Sequence, residues 1–323
     1  MRDGNLVAYL DLAPREESFR DVALAGLRRS HKSIPCRFLY DQRGSELFEA
    51  ICELPEYYVT RTETAILTAR AAEIAACIGS KVRLIEFGSG ASTKVRLLLE
   101  ALDQPVSYVP IDISGDMLHG AASSVARDFP GIEVIAICAD YMEPRRLPAL
   151  LGRYPGRRVG FFPGSTIGNL TPQEAVDFLC GCRALLGPGG GIVVGADMKK
   201  DPNLLHAAYN DSAGVTAQFT LNILARMNRE LGADFNLDRF AHVAFYNAVE
   251  GRVEIYIESL MDQIVTVSGQ GIAFSEAERI HVEYSHKFSV AEFQDLARRA
   301  GFKADAVWTD ADQLFSVHCL TVA

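Results

Sequence analysis

The chain has 323 residues, of which 49% are hydrophobic and 23% are charged, as in an ordinary globular protein. This length predicts two domains or one enlarged α/β unit. A formal net charge of −9 gives no general attraction to nucleic acid or to anionic membranes. The first 12 residues lack the apolar core of a signal peptide, and no apolar run is long enough to cross a bilayer. We expect a cytoplasmic monomer that binds neither nucleic acid nor membrane.

Cysteine and histidine spacing gives no support to a metal site. The 7 cysteines are scattered and none form a C-x-x-C pair, while the 7 histidines show no H-E-x-x-H or similar spacing. We interpret the cysteines as reduced thiols, several of them in the core, with a catalytic cysteine as the alternative. The sequence therefore predicts an enzyme or binding protein without a metal.

The middle of the chain alternates between strand-like and helix-like patterns. Strands are predicted at 82–87, 106–111, 132–137, 159–162 and 191–195, and helices at 93–101, 115–129 and 172–186. Such alternation predicts a parallel sheet that is covered by helices on both faces.

The C-terminal stretch reads as a helix at 290–300 and two strands at 304–309 and 314–322. A connection as short as residues 310–313 permits only an antiparallel pair, because parallel strands need a long crossover. A doubly wound parallel sheet that ends in an antiparallel hairpin resembles the Rossmann-like fold of class I methyltransferases. Dehydrogenases with the same start do not usually end in this way.

Two blocks stand outside this alternation. Residues 1–61 read as helices, and residues 197–286 read as a helical stretch at 204–231 followed by strands at 241–247, 252–260 and 263–267. We expect the two blocks to form a second, α+β domain that binds the substrate. The predicted division is 62–196 with 287–323 for the cofactor, and 1–61 with 197–286 for the substrate.

The first buried strand of the predicted sheet runs into a glycine turn. Gly88 and Gly90 allow the backbone to turn tightly and to approach a ligand closely. Thr93 stands where a dinucleotide fingerprint has its third glycine, so a ligand without a pyrophosphate fits better than NAD. A plain tight turn is the alternative interpretation.

Acidic residues end the next two predicted strands. Asp112 lies 22 residues beyond Gly90, where a carboxylate can accept hydrogen bonds from ribose hydroxyls. Asp140 is followed by Tyr141, and this pair suits an adenine amine and the face of its ring. Each aspartate alone is more typical of a helix cap. Together with the glycine turn, however, the two aspartates make three strand ends in register, and this favours a nucleoside site.

Several separated segments then indicate a family. They are residues 40–48, 54–58, 161–170 and 280–288, together with 195–201 and 207–211. Over nearly its whole length the chain resembles the histidine Nα-methyltransferases of ergothioneine biosynthesis. The resemblance implies that three methyl groups pass from S-adenosylmethionine to the α-amine of histidine, which yields hercynine.

Position by position, the resemblance also implies roles for individual residues. Those implied to hold S-adenosylmethionine are Gly88, Lys94, Asp112, Asp140 and Tyr141. Those implied to hold the substrate are Tyr57, Gly164, Asn169 and Tyr209 at its amino-acid end, Glu283 and Ser285 at the imidazole, and Tyr40 near the amine.

Methyl transfer requires a neutral amine that is held in line with the methyl group, and alignment alone gives a large acceleration. Asn169 follows the fourth predicted strand, and its amide oxygen can accept a hydrogen bond from the amine and aim the lone pair. We therefore predict Asn169 and Tyr40 as catalytic residues. A loop asparagine that only satisfies backbone groups, and a tyrosine that only packs, are the alternatives.

Recognition of the imidazole is predicted from a strand-like pattern at 279–285, where residues two apart share a face. Glu283 can accept one ring N–H and Ser285 can donate to the other ring nitrogen. A solvated strand face is the alternative.

One residue departs from the family resemblance. Ile255 stands where members of the family usually carry Met, so Ile255 is a further candidate for the side-chain pocket. This departure keeps open another amino acid, such as tryptophan, or a histidine derivative as substrate. An inactive S-adenosylmethionine-binding protein is the remaining alternative.

Overall fold

The computed structural model describes residues 5–12, 19–90, 93–142, 147 and 156–323. The chain forms two compact units, which we call the first unit (1–15, 61–199 and 288–323) and the second unit (16–60 and 200–287). Within the described ranges, no helix combines the length and the apolar character needed to cross a membrane.

The helices and strands of the described residues are numbered in chain order. The strands are β1 (Leu6–Asp11), β2 (Lys32–Ser33), β3 (Val82–Phe87), β4 (Ser107–Asp112), β5 (Glu133–Cys138), β6 (Arg157–Phe162), β7 (Gly191–Asp197), β8 (Phe240–Asn247), β9 (Arg252–Ser259), β10 (Gln263–Val267), β11 (Gln270–Phe274), β12 (Arg279–His286), β13 (Phe302–Thr309) and β14 (Phe315–Val322). The α-helices are α1 (Phe19–Leu27), α2 (Gln42–Cys52), α3 (Tyr58–Ile78), α4 (Thr93–Ala101), α5 (Gly115–Asp128), α6 (Pro172–Leu186), α7 (Pro202–Tyr209), α8 (Val215–Leu231) and α9 (Val290–Arg299).

One sheet forms the centre of the first unit, with the strand order β1-β5-β4-β3-β6-β7-β14-β13. In this order the neighbouring strands from β1 through β5, β4, β3 and β6 to β7 are parallel. Strand β14 is antiparallel to both β7 and β13. Every residue of β3 and of β7 is buried, as expected for strands that are covered on both faces. The class I methyltransferase fold that the sequence predicts is therefore confirmed.

Helix α6 shows how local sequence positions a covering helix. Thr171 caps it in a capping box with Glu174, Pro172 occupies the first turn, and Gly187 ends it with φ +73°. Its buried face includes Phe178, which belongs to the main hydrophobic core of the unit. Burial of a side chain of this size is worth about 1.5–3 kcal/mol.

The N-terminal segment corrects one expectation. Residues 1–61 do not read as helices throughout, because β1 pairs in parallel with β5 at the edge of the large sheet, from Leu6 opposite Val134 to Asp11 opposite Cys138. Its side chains alternate between half-buried and exposed, as in a strand with one covered face.

The helical stretch predicted at 204–231 is two helices and not one. Asp211 accepts hydrogen bonds from the N–H groups of Val215 and Thr216, both at 2.8 Å, and so starts a new helix. The expectation of reduced thiols is wrong for Cys77 and Cys319, which form a disulfide.

The second unit contains a smaller sheet with the order β2-β12-β9-β8 and a β10–β11 hairpin. Strand β12 is antiparallel to β9, with a register shift between His281 and Glu283. The side chain of Asn222 in α8 donates to Asp41 at the start of α2 over 2.7 Å. This contact joins the two helices beside the small sheet.

Candidate functional site

The predicted cofactor residues meet at the carboxyl ends of neighbouring strands of the large sheet. Gly88 and Gly90 follow β3 with φ +71° and +46°, a region that favours glycine. The Asp112 carboxylate at the end of β4 accepts the N–H of Gly90 at 3.1 Å and that of Ser114 at 2.9 Å. A Cβ atom at Gly88 would lie 3.3 Å from the ring of Tyr141. The glycine turn therefore contacts both the Asp112 carboxylate and the ring of Tyr141.

Asp140 and Tyr141 follow β5, the next strand of the sheet. The Asp140 carboxylate accepts the N–H of Met142 at 2.9 Å, which fixes its direction. The ring of Tyr141 packs edge-on against Phe162 and Phe178, with centroids 5.8 and 6.2 Å away. These residues fit S-adenosylmethionine, because oriented carboxylates accept hydrogen bonds from ribose hydroxyls and an adenine amine, and the glycine turn has no side chain in the way.

Lys94 lies on α4 and forms an ion pair with Glu63 of α3, whose side chain is 1% exposed. Both oxygens of that carboxylate lie 2.9 Å from the amide nitrogen of Gly164. Lys94 therefore lies beside the turn after β6 as well as on the helix that follows the glycine turn. Glu63 was not predicted from the sequence, since one acidic residue in a long helix carries no pattern of its own.

The turn after β6 carries Gly164 and Asn169. Gly164 has φ +80° and Ser165 has φ +57°, so the backbone reverses sharply. The Ser165 hydroxyl accepts the N–H of Asp197 at 2.9 Å, and Thr166 donates to the carbonyl of Pro163 at 2.9 Å. Asn169 ends the short 3₁₀ helix Thr166–Asn169 and is half-buried. The asparagine is thus carried by a turn that is hydrogen-bonded at several points.

The predicted substrate residues of the second unit include two that touch directly. The Tyr209 hydroxyl and the Ser285 hydroxyl lie 2.8 Å apart. Lys287 donates to both, again at 2.8 Å each, and all three residues are buried. Lys287 was missed although it extends the alternation by one step, since residues 283, 285 and 287 follow the period of a strand.

Glu283 and Ile255 face each other in register on β12 and β9. Burial, and then the charge of Glu283, raise the pKa of the Cys36 thiol to about 12. Burial also raises the pKa of Tyr57 well above its ordinary value, with further contributions from Tyr209 and Glu283 among others. Glu283, Tyr57 and Tyr209 therefore share one electrostatic neighbourhood.

Aromatic rings complete this part of the second unit. The centroid of Tyr40 lies 5.5 Å from Phe48 and 5.3 Å from Phe219, and Tyr57 lies 6.4 Å from Phe48 and 6.3 Å from Tyr209. Tyr40 is 38% exposed, whereas Tyr57 is buried. Ring faces of this kind attract a quaternary ammonium group.

The predicted residues are divided between the two units. The group in the first unit is Gly88, Lys94, Asp112, Asp140, Tyr141, Gly164 and Asn169. The group in the second unit is Tyr40, Tyr57, Tyr209, Ile255, Glu283 and Ser285. In the part of the chain that the structure describes, no group of His, Cys, Asp and Glu is arranged to hold a metal ion.

The strand order, the antiparallel hairpin and the glycine turn with its strand-end carboxylates define an S-adenosylmethionine-dependent methyltransferase. Residues 19–322 match the family described as histidine-specific methyltransferase, SAM-dependent. The chain belongs to this family, and the family that the sequence predicts is confirmed.

Three relatives illustrate what the chain is similar to. The chain is 41% identical to a histidine N-alpha-methyltransferase of Mycolicibacterium smegmatis, with 95% of each chain covered. It is 32% identical to ergothioneine biosynthesis protein 1 of Neurospora crassa, covering 90% of this chain and 33% of that longer protein. A 4-dimethylallyltryptophan N-methyltransferase of Epichloe festucae var. lolii is 26% identical, with 94% of this chain and 95% of that protein covered.

Proposed function

We propose that this protein transfers three methyl groups from S-adenosylmethionine to the α-amine of L-histidine and forms hercynine, as the first step of ergothioneine biosynthesis. The structural observation that supports histidine as the substrate is the pair Glu283 and Ser285. These residues lie two apart on β12, and Ser285 contacts Tyr209. The family assignment supports the reaction, and the 41% identical relative supports histidine as the amino acid.

S-adenosylmethionine, when bound, supplies the electrophilic methyl group. Asp112 would accept hydrogen bonds from the ribose hydroxyls, and Asp140 would accept one from the adenine amine. Tyr141 offers a ring face to the base. At Gly90 the backbone would allow the ligand to approach closely, because a Cβ atom there would meet no other atom within 4 Å.

Second-unit residues would hold histidine at both ends. Glu283 accepts one imidazole N–H, and Ser285 donates to the other ring nitrogen. The raised pKa of Tyr57 keeps its phenol protonated at neutral pH, so it can donate to the substrate carboxylate. Tyr209 offers a second hydroxyl for the same end of the substrate.

Orientation of the amine would supply much of the acceleration. Asn169 and the backbone at Gly164 belong to the hydrogen-bonded turn after β6, and the amide oxygen of Asn169 accepts a hydrogen bond from the neutral amine. The nitrogen lone pair of the substrate amine is then free to attack the methyl group. Tyr40 lines the amine end, where its ring face favours the quaternary ammonium group that forms.

A product analysis tests the proposal directly. The purified protein is incubated with S-adenosylmethionine and each amino acid separately, and the products are identified by mass. We expect histidine to gain one, two and finally three methyl groups. A protein that leaves histidine unmodified but methylates another amino acid would contradict the proposed substrate and retain the methyltransferase assignment.

One observation favours a second substrate class. Ile255 is buried and lies opposite Glu283, so it borders the region assigned to the substrate ring. A 26% identical relative carries the name 4-dimethylallyltryptophan N-methyltransferase. Tryptophan and its derivatives are therefore the alternative substrates to include in the product analysis.

We further propose that the protein acts in the cytoplasm, as a monomer that binds no nucleic acid. The net charge of −9 supports the last point, because phosphate backbones attract basic surfaces. Light scattering on the purified protein measures its mass, and a dimer would contradict the proposed state.

A further inference from the structure

His242 of β8 contacts the end of the helix that carries Tyr209. Its Nε2 atom lies 2.9 Å from the backbone carbonyl oxygen of Tyr209, and its Nδ1 atom lies 3.0 Å from the hydroxyl oxygen of Thr220 in α8. The ring is half-buried. Because both ring nitrogens have a partner, the direction in which the ring points is fixed.

The proton of the contact with Tyr209 lies on the His242 ring. A carbonyl oxygen has lone pairs and no proton, so Nε2 of His242 donates to it. Burial lowers the pKa of His242 below its ordinary value of 6.5, so the ring is neutral at pH 8 and carries a single N–H. This N–H is the one that the Tyr209 carbonyl accepts.

The Tyr209 carbonyl needs a donor from outside its own helix. Tyr209 is the last residue of α7, and the last carbonyls of an α-helix have no partner within the helix. The side chain of Asn210, the next residue, donates to the carbonyls of His206 at 2.9 Å and of Ala244 in β8 at 3.1 Å. His242 and Ala244 lie two residues apart, so the end of α7 is joined to β8 through both Tyr209 and Asn210.

The side chain of Tyr209 is held at its far end as well. Its hydroxyl oxygen lies 2.8 Å from the Ser285 oxygen and 2.8 Å from the Lys287 nitrogen, and its ring centroid lies 6.3 Å from that of Tyr57. The place that this hydroxyl reaches depends on the backbone from which the side chain extends. His242 holds that backbone.

We propose that His242 is a positioning residue for the carboxylate end of the substrate. By holding the Tyr209 carbonyl, it places the Tyr209 hydroxyl where that hydroxyl meets the substrate carboxylate. The proposal rests on the proposed function, in which Tyr57 and Tyr209 bind this end of histidine. His242 acts through Tyr209 and not by its own contact with the substrate.

Histamine separates this role from a general effect on the site, because histamine is histidine without the carboxylate. Calorimetry at pH 8 with S-adenosylhomocysteine present gives the dissociation constants of both ligands. His242→Met removes the N–H and keeps an extended side chain. We expect it to weaken the binding of histidine at least about fivefold and that of histamine less than about twofold, because histamine has no carboxylate for Tyr209 to hold.

Two amide variants separate the donated hydrogen bond from the bulk of the ring. The amide nitrogen of Gln extends about as far as Nε2 of His, whereas that of Asn extends only as far as Nδ1. His242→Gln should therefore bind histidine within about twofold of the wild type, while His242→Asn should be weakened like His242→Met. The exposed His206→Met, in the same helix as Tyr209, is the matched control and should bind both ligands as the wild type does.

A double variant tests the same link with histidine alone. Tyr209→Phe removes the hydroxyl that His242 places, so adding His242→Met to Tyr209→Phe should change the affinity for histidine by less than about twofold. Full additivity of the two changes would overturn the link. If histamine binds too weakly to measure, this cycle decides.

The outcomes distinguish this inference from the proposed function. Equal weakening of histidine and histamine in His242→Met, or wild-type affinity for histidine in both His242→Met and His242→Asn, would overturn the positioning role while leaving histidine methylation intact. If His242→Met does not fold, the comparison of His242→Asn with His242→Gln decides by the same criteria. A wild-type protein that neither binds nor methylates histidine would overturn both proposals.

Discussion

Both oxygens of the Glu63 carboxylate lie 2.9 Å from the amide nitrogen of Gly164, a residue 101 positions further along the chain. Lys94 forms an ion pair with the same carboxylate, and Glu63 is buried. A fully buried charge is stable only with such partners. Glu63 therefore ties helix α4 to the turn that carries Asn169.

We expect Glu63→Gln to lower kcat/KM for histidine by at least about tenfold, because an amide cannot form the ion pair with Lys94 and keeps only one oxygen to accept from Gly164. The exposed Glu100→Gln, in the helix of Lys94, is the matched control and should change little. Steady-state kinetics and a thermal melt of each variant test this. Wild-type kinetics in a folded Glu63→Gln protein would remove its positioning role.

Asp112→Asn should weaken the binding of S-adenosylhomocysteine by about 1–3 kcal/mol, because the amide replaces a carboxylate that also holds the N–H groups of Gly90 and Ser114. Calorimetry measures this, with the exposed Asp103→Asn as control. NAD should not bind to the wild-type protein. Tight binding of NAD would show that the glycine turn serves a dinucleotide.

Asn169→Ala should lower kcat by about a hundredfold, the cost of a misaligned reacting group, and leave the melting temperature close to that of the wild type. The reason is that its backbone turn is held by Glu63 and Ser165, and not by the asparagine side chain. Single-turnover kinetics measure the chemical step. Unchanged turnover would mean that another group orients the amine.

Glu283→Ala should weaken histidine binding about 5- to 150-fold, because an imidazole N–H then loses its acceptor in a buried site. The variant should also raise kcat/KM for tryptophan relative to histidine. Ile255→Met changes the shape of the same region without removing charge and serves as a comparison, since the two residues face each other on neighbouring strands. An unchanged ratio in Glu283→Ala would place the imidazole elsewhere.

The pH dependence of stability should depend on Glu86, whose pKa burial raises to about 8 despite a hydrogen bond from Tyr108. The folded state then holds a proton that the unfolded chain releases above its ordinary pKa of about 4.3. The contribution to stability is therefore complete at low pH and is lost as the pH rises toward 8, by at most about 1.4 kcal/mol per pH unit.

Glu86→Gln does not titrate, so its urea midpoint should fall less than that of the wild type between pH 5 and pH 8. The two proteins should differ most at pH 8, where the variant is the more stable. Glu133→Gln, exposed at the start of β5, is the matched control and should keep the wild-type slope. Equal slopes in Glu86→Gln and the wild type would contradict a protonated Glu86.

Most of the large sheet could be predicted from the sequence because the strands from β3 to β7 are short, largely buried runs that alternate with helices. Strand β1 could not, since its six residues are mostly apolar and do not show the apolar–polar alternation of a half-buried strand. The disulfide between Cys77 and Cys319 joins positions 242 apart, and no local spacing encodes such a contact.

The site was predictable to a similar extent. Residues that end strands, such as Asp112, carry their own positional signal. Glu63 carries none, and the alternation that includes Lys287 does not show that Lys287 is buried, because a charged side chain in a sequence is more typical of a solvated face. Only tertiary packing makes them buried partners of Gly164 and Ser285.

The position of β1 bears on how the protein should be produced. The family match begins at residue 19, so a gene trimmed to that match would encode a chain without Leu6–Asp11. Strand β5 would then become the edge strand of the sheet, with its N–H and C=O groups unpaired along one side. Exposed edge strands pair with other chains and promote aggregation. Expression of the full N-terminal segment should therefore decide whether the protein stays in solution at the concentrations that crystallisation needs.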